Sequence, residues 1–135
     1  MKLDIKTIGY VNAFETLTKT TVKDCFLDKN DNLTFIVGFG DAGKAIGRAG
    51  SNIKRLSNMI KKKIRVLEFN EDPTKFVANA IYPLKVQGIM VSDKIIIIKA
   101  ESMQDRAKLI GRDRKNLNAL QELITKFFDY EVKVE

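Results

Sequence analysis

Lys44-Ala45-Ile46-Gly47-Arg48-Ala49-Gly50-Ser51-Asn52-Ile53 returns 64 residues later as Lys108-Leu109-Ile110-Gly111-Arg112-Asp113-Arg114-Lys115-Asn116-Leu117. The same ungapped offset pairs Leu56 with Leu120, Ile60 with Ile124 and Lys62 with Lys126. In each copy an Ile-Gly-Arg step ends one apolar-patterned helix and opens another. Glycine, arginine, asparagine and the apolar beats held together at one offset mark a duplicated device: a basic, glycine-bearing turn between two helices. Such a turn grips backbone, and the polymer whose backbone it suits is a nucleic-acid strand.

Outward from the first copy, apolar residues Ile5, Ile8, Val11, Phe14 and Leu17 recur at near-helical spacing, so residues 6–17 are expected to form an amphipathic helix. Residues 21–27 and 33–37 read as strands joined across the polar turn Asp28-Lys29-Asn30-Asp31-Asn32. Asp41 is placed to cap a short helix ending at Ile46, and Ser51 to cap a second with core face Ile53, Leu56, Met59 and Ile60. Alternation over 63–69 closes the unit as a strand. The second copy repeats the order: a helix from Asp72-Pro73 to Ile81, a hairpin of 85–91 with 94–99, and a helix opened by Ser102 with Asp105 in a capping box. A further helix carries Leu117, Leu120, Leu123, Ile124 and Phe127, and residues 131–134 supply a last strand. Each unit reads α-β-β-α-α-β, an α+β fold. Residues 1–69 and 70–135 are expected to be two domains, packed rigidly because only Asn70-Glu71 lies between them. Modules of about 65 residues sit near the lower size limit for independent folding.

Composition excludes several classes. Apolar content of 44% is that of a globular chain. No apolar run approaches the ~20 residues of a membrane span, and residues 1–20 lack the pattern of a signal peptide. Cys25 has no partner for a disulfide and is expected in the core, and histidine is absent. Zinc binding and His-dependent catalysis are therefore not expected; nor is a cofactor, and the location expected is cytoplasmic. Net charge is +7, and residues 41–67 account for all of it, with eight basic residues against Asp41 alone. Residues 106–126 hold six basic residues against Asp113 and Glu122. Positive charge concentrated on the repeated element is the footprint of a polyanionic partner.

Within the first turn, glycine permits close backbone approach and unusual dihedrals. Main-chain amides across Gly47–Gly50 are expected to lie open to phosphate oxygens. Arg48 and Lys54 are in reach of the same strand, and Ile46 and Ile53 form an apolar floor for bases. The full set of candidate contacts is Lys44, Ile46, Gly47, Arg48, Ala49, Gly50, Ser51, Asn52, Ile53 and Lys54, with Lys108, Gly111, Arg112, Arg114 and Lys115 in the second copy.

These loops, Gly47-Arg48-Ala49-Gly50 and Gly111-Arg112-Asp113-Arg114, resemble those of tandem type II K-homology (KH) modules, and two such modules together resemble the short archaeal NusA-like proteins. The resemblance covers essentially the whole chain. It implies a small mixed three-stranded sheet covered by helices in each module. It also implies single-stranded RNA in a groove between the helix pair and one sheet edge, about four nucleotides per module. Arg114 stands where the family has its second glycine. Two outcomes stay open there: a turn obstructed by Arg114 and repelled from phosphate by Asp113, or one in which Arg114 contacts phosphate directly.

The leading reading is a non-enzymatic RNA-binding transcription factor acting in pausing, termination or antitermination, with RNA polymerase or other transcription factors as expected protein partners. An alternative keeps the fold and moves the partner to ribosomal or processed RNA. A remote third is a nucleotidase, since 38–45 (Gly38-Phe39-Gly40-Asp41-Ala42-Gly43-Lys44-Ala45) matches the phosphate-loop spacing except that Ala45 lacks the magnesium-binding hydroxyl.

Overall fold

The computed structural model describes residues 4–135; residues 1–3 of the stretch read as lacking a signal peptide lie outside it. The chain divides into two compact units, Met1–Asn70 and Glu71–Glu135. In the first, α1 (Ile5–Thr18), β1 (Val22–Leu27), β2 (Asn32–Val37), α2 (Ala42–Ile46), a 3-10 turn (Arg48–Gly50), α3 (Ser51–Ile60) and β3 (Lys63–Glu68) follow in order. The second holds α4 (Pro73–Ile81), β4 (Val86–Ser92), β5 (Ile95–Ala100), α5 (Met103–Ile110), a 3-10 turn (Arg112–Arg114), α6 (Lys115–Thr125) and β6 (Glu131–Val134).

Each unit has one three-stranded sheet with β2 or β5 in the middle. That central strand is antiparallel to its hairpin partner and parallel to the closing strand. A parallel neighbour cannot be reached by a tight turn, so the chain must cross over through a helical connection. In both units that connection is the repeated helix–turn–helix, which is how the glycine turn comes to be displayed beside the sheet.

Local chemistry sets the boundaries. The Asp4 carboxylate accepts from the Thr7 amide at 2.7 Å to start α1. Asp28 Oδ1 accepts from the amides of Asn30 and Asn32, both at 2.9 Å, and turns the first hairpin. Asp72 caps α4 through the Thr74 amide at 3.0 Å, and the Thr74 hydroxyl and amide hold its carboxyl below the usual range. Ser102 Oγ accepts from the Asp105 amide at 3.1 Å to start α5. Ser57 and Gln121, again 64 apart, each tie their helix to the approach of the closing strand: Ser57 Oγ donates to Lys62 O at 2.8 Å, and Gln121 Nε2 donates to Tyr130 O at 3.0 Å.

In the first unit Phe14 and Phe35 stack at 4.2 Å, and Val22, Cys25, Leu33, Val37, Ala45 and Leu56 close around them. Burial, with the Asp24 charge second, pushes the Cys25 thiol up to about 12. In the second, Leu109, Leu117, Leu120, Leu123, Ile124 and Val132 are buried, and Phe76 meets Phe127 edge-on at 5.6 Å.

Three sequence expectations fail in detail. Ile5 is 91% exposed and Ile8 is exposed as well, so neither belongs to the core face of α1. At 100° per residue Ile5 points directly away from Phe14, nine positions on, whose side faces the sheet. Met59 is 62% exposed and borders an open trough with Ala13, Leu17 and Arg55 instead of entering the core. Asp41 and Ser51 occupy helix starts without capping them. The Ala42 amide is taken by Glu68 Oε1 from β3 at 3.2 Å, and Gly50, left-handed, stands in the cap position before α3.

Candidate nucleic-acid interface

The two turns share one backbone conformation. Gly47 lies at φ 80°, ψ 169° and Gly111 at 76°, 169°. Ala49 and Asp113 lie at 53°, 29° and 55°, 30°. Gly50 and Arg114 lie at 73°, 19° and 63°, 20°. Three residues of four are thus left-handed, a run that only glycine adopts without cost. Arg114 nevertheless holds it. A Cβ built on Gly50 meets nothing within 4 Å, so the second glycine answers a dihedral preference and fills no crowded space. The first glycine is different: a Cβ on Gly47 falls 2.9 Å from Asn52 Cγ and from Ser51 Oγ, and one on Gly111 falls 2.7 Å from Asn116 Cγ.

Not all four amides of the turn face outward. The Gly47 amide donates to Gly43 O at 3.0 Å, the Gly50 amide to Gly47 O at 3.1 Å, and the Ser51 amide to Arg48 O. Among the described residues the amides of Arg48 and Ala49 have no internal acceptor, and both residues are exposed. The open surface is therefore a pair of amides, narrower than the Gly47–Gly50 span expected from sequence. Its counterpart is Arg112 and Asp113, since Gly111 and Arg114 donate to Ala107 O and Gly111 O.

Around the first turn Lys44, Arg48 and Lys54 are exposed and form no ion pair among the described residues; the same holds for Lys108, Arg112, Arg114 and Lys115 around the second. Ile46 and Ile53 are half-buried, leaving part of each side chain on the surface. Their counterparts differ, because Ile110 is half-buried whereas Leu117 is sealed in the core. Asn52, expected among the contacts, donates Nδ2 to Lys44 O at 3.2 Å. Asn116, absent from the expected set, does the same to Lys108 O at 2.8 Å. The asparagine retained at the 64-residue offset was the signal for it.

The phosphate-loop spacing over 38–45 folds into something else. Gly43 and Lys44 lie inside α2, Ala45 is fully buried, and the Glu68 carboxylate holds the amide at the helix start. A carboxylate at that place opposes phosphate. Among the described residues no group of three His, Cys, Asp or Glu side chains is placed to hold a metal, and no helix is long and apolar enough to cross a membrane.

A helix–glycine turn–helix crossing over between parallel strands of a three-stranded α+β unit defines a KH module, and the KH domain family model matches residues 10–71. Relatives extend the match to the whole chain. It is 30% identical to the probable transcription termination protein NusA of Methanocaldococcus jannaschii, across 100% of this chain and 76% of that one. With the protein of the same description from Halobacterium salinarum it shares 31%, across 90% and 88%. One solved crystal structure, 29% identical, superposes with a TM-score of 0.76 over 98% of this chain and 100% of its own. The chain belongs to the archaeal NusA family, a non-enzymatic family of KH proteins.

Proposed function

We propose that this protein binds single-stranded RNA through both glycine turns, as a transcription termination factor acting on nascent RNA in pausing, termination or antitermination. The carrying observation is the duplicated turn: two unbonded amides at its tip, in closely matching dihedrals, ringed by cations that pair with no acidic side chain among the described residues. Paired amide donors suit a phosphate oxygen, and surrounding lysine and arginine add a sequence-independent attraction. Ile46 and Ile53 offer apolar surface to a base beside the first turn. In the second turn Arg114 keeps the gripping conformation, so module 70–135 acts as a second grip in addition to module 1–69, with Arg112, Arg114, Lys108 and Lys115 offsetting Asp113. RNA polymerase or another transcription factor is the protein partner this role requires.

Fluorescence anisotropy with short labelled RNA and DNA strands tests the proposal. RNA is expected to bind in preference to DNA, with affinity falling steeply as salt rises. Replacing Arg112 and Arg114 together by aspartate is expected to weaken binding further than removal of one phosphate contact explains. No effect would make the second module a scaffold. Co-purification with ribosomal subunits and not with polymerase would move the role away from transcription.

A further inference from the structure

We propose that Asn52 and Asn116 are positioning residues that release the gripping amides: each side chain takes the place of a main-chain donor at the end of the preceding helix and so frees that donor for RNA. The inference rests on the RNA-gripping role of the two turns.

In an uninterrupted helix the amide of Arg48 would donate to the carbonyl of Lys44, four residues back, and that of Arg112 to Lys108. The chain leaves helical geometry at Gly47, whose ψ of 169° swings Arg48 outward, and likewise at Gly111. This leaves the Lys44 and Lys108 carbonyls as orphans of a helix end, and an orphan acceptor costs free energy unless something else donates to it. Asn52 Nδ2 donates to Lys44 O at 3.2 Å and Asn116 Nδ2 to Lys108 O at 2.8 Å. The side-chain amide thus stands in for the main-chain amide, from a residue in the first turn of the following helix. The carbonyl is satisfied, the helices on either side of the glycine are tied together, and the Arg48 or Arg112 amide has nothing to turn back to.

The same contact adds to a backbone reason for the strictness of the first glycine, whose φ near 80° with ψ of 169° is a region that glycine alone adopts readily. A Cβ on Gly47 or Gly111 collides with the asparagine that makes the bond, whereas the Gly50 position is open and carries arginine in the second turn. Asparagine and first glycine form one unit, retained in both copies although the turn between them differs. Glutamine is a methylene too long for the same space, and serine too short to span it.

The test uses the full chain with a short labelled single-stranded RNA of randomised sequence, and compares wild type with Asn52→Ala, Asn52→Leu and Arg48→Ala. Leucine keeps the bulk of asparagine and removes the donor. Both Asn52 variants are expected to bind about fivefold more weakly, with the slope of affinity against salt unchanged, because a neutral amide releases no counterion. Arg48→Ala is expected to lower that slope by about 0.7. Hydrogen exchange followed by NMR should show the Arg48 amide exchanging freely in unliganded wild type, protected by RNA, and protected without RNA in Asn52→Ala. Wild-type affinity in both Asn52 variants, with Arg48→Ala still weakened, overturns the clamp and leaves the RNA role standing. No binding by wild type overturns the RNA role instead. Protection of the Arg48 amide in unliganded wild type overturns the clamp without recourse to any variant, including one that fails to fold.

Discussion

Replacing Arg48 and Ala49 together by aspartate puts two carboxylates beside the open amides and removes one cation. The structure says the fold tolerates it: both side chains are exposed, and Asp113 already occupies the Ala49 position of the second turn at φ 55° against 53°. The change moves the tip by three charge units. A unit charge about 6 Å from a phosphate in a water-like dielectric is worth about 0.7 kcal/mol, so the three together cost about 2 kcal/mol, roughly a thirtyfold loss of affinity. Loss of the amide contacts, as the phosphate is pushed away, adds to this. Anisotropy with labelled single-stranded RNA at low and moderate salt measures the loss, and far-UV circular dichroism checks the fold. The difference between variant and wild type should shrink as salt rises, because part of it is screened. Equal affinity, with an unchanged spectrum, refutes the reasoning for the first turn.

Gly50→Ala should cost about 1–2 kcal/mol for the left-handed dihedral alone and keep RNA binding near wild type. Gly47→Ala meets Asn52 and Ser51 at 2.9 Å as well, which adds an overpacking cost of about 1–3 kcal/mol, and should abolish binding by this turn. Urea unfolding and anisotropy on the two variants check the contrast. Cys25 should resist thiol reagents at pH 8 in the native state and react when the chain is denatured. Its folded pKa of about 12 stands above the ordinary 9.0, so the unfolded chain releases the proton first and stability should fall as pH rises through 9. Urea midpoints at pH 8 and pH 10 measure this, and Cys25→Ser should shrink the difference.

Much of the fold was legible because local signals agreed with one another. Asp72-Pro73 and Ser102 set their helix starts through short-range hydrogen bonds, and the α-β-β-α-α-β order followed from periodicity. Where an outcome depended on what lay across space, the reading failed. Apolar spacing included Ile5 in the apolar pattern of α1 because it counts residues, whereas the direction of the sheet decides which side of α1 is covered. Asp41 had the chemistry of a cap, but the Glu68 carboxylate arrives from β3, distant in sequence and adjacent in space.

What the sequence by itself determined is the duplicated turn, its basic surroundings and the strand–helix order, since each of these is a property of residues close along the chain. Only tertiary structure decided which amides of the turn are open and what the asparagines do. An amide is free or bound according to the carbonyl it faces, and that depends on the angle at which one helix leaves the glycine and the next returns.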